Sequence, residues 1–179
     1  MTDEKRDHPD GVFYSLKDHA GLGRRILILA IDGLVLYFGY LVSKTALGWG
    51  ALGSASPYVC AFGFATFCYL YLAVLARSRF GTLGYTVASV QVVDLTGARP
   101  SLACMSFRTA FALLGPLNVL LDLLWVGSDS NRQALRDRLP GTYVVRKGAV
   151  PAGVGPLRHV LIWFLGYGLI MREVGRRGT

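Results

Sequence analysis

Charge is scarce in this sequence. Lys, Arg, Asp and Glu make up 17% of its 179 residues, against about 25% in a soluble domain, and the mean hydropathy is +0.42. The scarcity is concentrated in two stretches. Pro57 to Ala76 holds no charge at all, and Ile26 to Leu47 holds only Asp32 and Lys44. Each run is long enough to cross a hydrocarbon core of about 30 Å, which takes about 20 helical residues. Cysteine and histidine are scarce too, at three each. Cys60, Cys68 and Cys104 are odd in number and lack a CxxC spacing, so they imply neither a disulfide framework nor a metal site and read as small apolar residues in helices. His8, His19 and His159 are scattered without metal spacing. GxSxG, P-loop, HExxH and paired-carboxylate patterns are missing, so the chain reads as a non-enzyme without metal or cofactor. The net charge of +8 would point to nucleic acid in a soluble protein. Here there is no nucleic-acid-binding signature, and Lys and Arg gather at the ends of the apolar runs, where anionic headgroups favour them. The expected partner is the lipid bilayer, not nucleic acid.

What is present reads as an all-α membrane protein, a polytopic bundle of three to four hydrophobic segments with a small cytoplasmic β-ribbon. Residues 1–19 form a polar tail. Arg24 and Arg25 open a first helix that runs to about Leu47; it follows five acidic residues and is too long for a signal-peptide core, so it reads as retained. A small-residue loop, 48–56, leads to a second helix over about Pro57–Ala76. "YTVASVQVVD" then predicts a strand over Thr86–Asp94, and "TYVVRK" at 142–147 is the strand to pair with it, because an unpaired strand is not tolerated in lipid. Residues 101–127 are apolar but interrupted by Gly115-Pro116, which permits a kink or a full break. The final apolar stretch, 159–171, is short for a span at about 20 Å. It predicts an interfacial or re-entrant helix, or a short crossing, within a C-terminal segment 148–179.

Charge sets the topology. Residues 1–25 carry five Lys or Arg, 44–56 one, 77–108 four and 128–158 six. The poor loop belongs outside and the amino terminus in the cytoplasm of a bacterial cell membrane. A simple third crossing would put the six-charge segment outside, so a re-entrant hairpin folded at Gly115-Pro116 is preferred to a crossing.

Asp32 is the anomaly. An ionised carboxylate deep in a bilayer costs about 2.5–3.5 kcal/mol, so it needs a proton, a cation or a polar cavity. Arg25 lies seven residues earlier on the same helical stripe. Arg108 is the first choice of counter-ion by depth. Asn118 and Asp122, four apart on one helical face, make a second polar spot. Asp137, among Arg132, Arg136 and Arg138, reads from composition as a solvated surface ion pair.

These residues resemble the RDD family of membrane proteins, named for one arginine and two aspartates. "RILILAID", Arg25 to Asp32, resembles its first-helix signature; "FGTLGYTVASVQVVD" its loop after the second helix; "RQALRDRLPGTYVV" its closing motif, with Asp137 as the second aspartate. The likeness covers about residues 20–147. Family members commonly carry Gly-Lys where this chain has Gly84-Tyr85. The resemblance implies Arg25, Asp32 and Asp137 as signature residues, and transport of an ion or small solute as the function. The alternative is a non-transporting scaffold or accessory subunit, working with a membrane-protein partner or as a homo-oligomer.

Overall fold

A computed structural model describes residues 10–49, 57–128, 133–164 and 167–175. Its longest element is helix α1, Leu22–Trp49. The second apolar run forms α2, Pro57–Tyr69, continued by a π-helical segment, Leu70–Leu75. Pro57 opens α2, a position where its missing N–H costs nothing. The two are antiparallel neighbours: Tyr40 stacks edge-on with Phe64, and Tyr71 bonds Asp32. Leu22–Thr45 and Tyr58–Leu75 are both long and apolar enough to cross a membrane. Their outward faces carry large apolar side chains such as Leu34, Phe38, Val42 and Phe62, which water would penalise and lipid would not.

After α2 a single helical turn, α3 (Leu83–Val87), precedes strand β2, Val90–Asp94. The strand expected from Thr86 therefore begins four residues later. Thr82 accepts a hydrogen bond from the Tyr85 amide and caps α3, which gives this stretch a helical solution. Ser89, at φ 52°, makes the turn into β2. The expected ribbon forms: β2 pairs antiparallel with β3, Thr142–Arg146, with Val92 opposite Val144 and Val93 opposite Tyr143. Both its faces are buried. Val90, Val92 and Val144 pack on Ala20, Ile28, Ala73 and Met105 against the helices. Val93, Tyr143 and Val145 pack on Tyr14 and Val174 on the other side.

Residues 101–128 form α4, Leu102–Leu113, and α5, Pro116–Ser128, bent by 111°. Gly115 sits at φ +136°, a conformation only glycine takes readily, and Pro116 cannot donate into the preceding turn. A one-turn helix α6, Leu135–Arg138, leads into β3.

Two expectations are overturned, and with them the all-α class; the architecture is mixed. The 159–171 stretch is no helix. It belongs to an antiparallel hairpin of β4, Gly153–Phe164, and β5, Tyr167–Val174. A short apolar run looks alike in a buried helix and a buried strand, and partners decide between them. Here β4 has two. On its other edge lies β1, Asp10–Phe13, from the stretch expected to be part of a polar tail. The resulting sheet, in the order β1-β4-β5, packs on the outer face of the β2–β3 ribbon.

Candidate functional site: two buried carboxylates where the segments converge

Asp32 lies in α1, 7% exposed. Three neutral donors hold it. The Tyr71 hydroxyl donates to Oδ1 at 2.7 Å, the Gly84 amide to the same oxygen at 2.9 Å, and the Thr82 hydroxyl to Oδ2 at 2.8 Å. The proton positions follow from the network. Tyr71 oxygen accepts from the Leu83 amide at 3.1 Å, and Thr82 oxygen accepts from the Tyr85 amide, so both hydroxyl protons are free to serve the carboxylate. The π-helical segment carries Tyr71, and α3 is capped by the residue that bonds Asp32. A Cβ on Gly84 would lie 2.8 Å from the Asp32 carboxylate and from the Ile28 carbonyl oxygen. Glycine at 84 is what lets α3 lie against α1.

Asp137 is fully buried and is held by charge. Arg25 Nη2 lies 2.6 Å from its Oδ2, and Arg108 Nη1 bonds its Oδ1. Arg25 Nε also donates to the Ala20 carbonyl at 3.2 Å. Arg108 Nη1 donates to the Thr142 hydroxyl at 2.5 Å, which in turn donates to the Asp137 carbonyl at 3.1 Å. The Ala134 amide donates to Oδ2 at 3.3 Å. Gly141, at φ +70°, turns the chain so that Thr142 comes back under Asp137. Burial by itself would push this carboxyl up; Arg108, then Arg25, outweigh it and hold it well below the usual carboxylate range. Asp137 therefore stays ionised at any physiological pH.

Beside the triad, Asp122 pairs with Arg136, Oδ2 to Nε at 3.1 Å, and accepts the Arg136 amide at 3.0 Å. Six buried or half-buried charges thus balance, with Arg25, Arg108 and Arg136 against Asp32, Asp122 and Asp137. A cavity of about 150 Å³ opens between them, lined by Asp32, Arg108 and Arg136 among apolar side chains such as Ile28, Leu36 and Met105. Asp122 on α5, Arg108 on α4 and Arg25 near the start of α1 all contact α6. The limbs of the bent pair therefore both meet α6, on which the start of α1 also converges.

Three expected partnerships change. Arg108 is not the counter-ion of Asp32; it belongs to Asp137, as does Arg25, whose shared stripe with Asp32 yields no ion pair. Asp137 is not a solvated surface residue but the centre of the triad. Asp122 finds Arg136 rather than Asn118, whose amide approaches the Phe111 carbonyl at 3.5 Å across the Gly115 bend. Sequence reasoning missed Tyr71 and Thr82, and it gave Gly84, Arg136 and Thr142, which lie in the motifs or beside Asp137, no part in the site. Thr82 had a signal, as a threonine immediately before a helical turn; Tyr71 had none.

Two long apolar helices joined at one end by buried ionic and hydrogen-bonded contacts define a membrane protein with a charged internal site. The RDD family model matches residues 19–141, more than half of the chain, and the protein belongs to that family. Comparison with curated proteins and with solved structures gives no match. The matched stretch contains both carboxylates. It leaves out all of the three-stranded sheet.

Proposed function

We propose that this is a multi-pass protein of the bacterial cell membrane that moves an ion or small solute, with Asp32 as the residue the solute meets. One observation carries the reading: Asp32 lines an internal cavity, and its hydrogen-bond partners among the described residues are all neutral, which leaves the carboxylate without an ion pair there and open to a cation or proton. Arg25, Arg108 and Asp137 would hold the frame around that cavity. The amino terminus would be cytoplasmic, because the arginine-rich segments converge on one end of the bundle and the positive-inside bias retains such an end. The bent α4–α5 pair would then be re-entrant. A transporter with so few spans needs a second copy to enclose a path, so self-association belongs to the proposal. The test is flux in proteoliposomes across an imposed cation or pH gradient. Wild-type flux that Asp32→Asn abolishes while assembly persists is the expected result; absence of flux in well-folded wild-type protein overturns it.

The alternative, a scaffold or accessory subunit, draws on a different observation. All three arginines of the cluster are spent on internal ion pairs, and Asp32 staples α1 to the π-helical segment and α3. On that reading Asp32→Asn leaves the cell's phenotype intact, and the protein co-purifies in mild detergent with a stoichiometric membrane partner.

A further inference from the structure

A second cavity, of about 260 Å³, lies where α2 ends and the ribbon begins. Its walls come from four separate places: Arg77 and Arg79 just after the second candidate span, Gln91 on β2, Arg99 in the turn after β2, and Lys147 after β3. Its described lining residues carry four cations and not one carboxylate. The nearest acidic residue of the ribbon, Asp94, is turned aside. Its Oδ1 accepts the Thr96 and Ala98 amides and the Thr96 hydroxyl.

Positive-inside bias accounts for Arg77 and Arg79, which end a span. It does not account for two further cations delivered to the same cavity by the β2 and β3 turns. Nor are these cations spent elsewhere. Arg77 Nε donates to the Pro100 carbonyl at 2.8 Å, Lys147 Nζ approaches the Phe80 carbonyl at 3.5 Å, and Arg79 stacks on Phe80 at 5.1 Å. None of the four forms an ion pair among the described residues. Four like charges around one cavity repel each other. The arrangement gains by admitting an anion with several acceptor oxygens, to which guanidinium groups donate in a fork. Phe80, 64% exposed beside the cavity, is an aromatic of the kind that settles at a membrane interface.

We propose that this cavity binds a phosphate group, carried by an anionic lipid headgroup or free in solution. The full-length protein, delipidated in detergent, is titrated with phosphatidylglycerol and phosphatidylcholine by native mass spectrometry, and with inorganic phosphate and glycerol 3-phosphate by calorimetry. Binding of phosphatidylglycerol alone assigns a lipid source; saturable binding of the soluble phosphates assigns a free one. Replacing Arg99 and Lys147 together by Gln should weaken whichever binds by about 25-fold, about fivefold for each cation near an anionic group. The Lys17→Gln, Arg146→Gln pair removes equal charge outside the cavity and should change it less than about threefold. Gln91→Glu keeps every cation but supplies an internal counter-anion. It should weaken binding by about fivefold or more while the ligand-free melting temperature holds or rises. Equal losses in the two double variants, no effect of Gln91→Glu, or no binding of either phosphate source would overturn the proposal.

Discussion

The surroundings of Asp32 and Asp137 solve one problem in two ways. Each is a buried carboxylate bridging elements distant in sequence. Asp137 is met by two guanidinium groups, Arg25 and Arg108, which also bond backbone and Thr142, so its charge is consumed in holding α1, α4, α6 and β3 together. Asp32 is met by a phenol, an alcohol and an amide, none of them charged. Neutral donors hold this carboxylate without an ion pair, at the edge of a cavity that Arg108 and Arg136 also line. One site is therefore closed by ion pairs, while the other has hydrogen bonds from neutral groups and borders a cavity. Both lie in the stretch that the family model matches, yet their surroundings differ.

The sharpest way to break this contrast is Asp137→Ala. Two buried arginines would lose their shared anion, and breaking a buried pair in that manner costs about 3–5 kcal/mol. We expect little folded protein, seen as a collapse of the monodisperse peak in detergent and loss of the melting transition. Acid achieves the same change reversibly. The folded-state carboxyl titrates below the ordinary value of about 3.9, so its stabilisation is fully present above that value. It is lost as pH falls from about 4 toward the depressed folded value. Melting temperature followed from pH 7 downward should hold until about pH 4 and then fall. In a variant that folds with Leu at 137 and Gln at both 25 and 108, that acid-dependent fall should shrink.

At Asp32 the effect should be smaller. Tyr71→Phe removes one donor to a charged acceptor, worth about 1.5–3 kcal/mol, but leaves two others in place. The protein should fold with a lowered melting temperature, and a loss as large as that of Asp137→Ala would show that the two sites are equally structural. The smallest effect belongs to the ion pair between α6 and the outer sheet. Arg138 Nη2 lies 3.2 Å from Glu173 Oε2, with Glu173 about one third exposed. Glu173→Gln should cost no more than about 1 kcal/mol, within the scatter of most melting measurements.

Much of this was legible in the sequence. The two spans followed from length and lack of charge, and the ribbon from two β-branched runs that needed each other. Gly115-Pro116 announced a break because one residue tolerates the required φ and the next lacks a donor. Asp32 was visible because an ionisable group inside an apolar run is costly; Asp137 stood out only through the family resemblance. Their partners were not visible. Arg25 and Asp32 share a helical stripe, yet Arg25 reaches back to α6, because a long side chain near a helix end has several directions open to it. The sheet β1-β4-β5 was missed for a related reason: "HVLIWFLGYGLIM" has no period that separates a strand from a helix, and β1, which pairs with the start of β4 from Phe13 opposite Gly153 to Asp10 opposite Pro156, comes from a stretch that looks like a polar tail.

The residue sequence alone determined that this is a membrane protein, its two long helices, and a carboxylate at Asp32 that must be satisfied, since these depend on local composition and on the cost of burying charge. Tertiary structure alone decided which carboxylate is paired with arginines and which with neutral donors. That choice depends on distances between segments up to 112 residues apart, as for Arg25 and Asp137, and no local pattern encodes such distances.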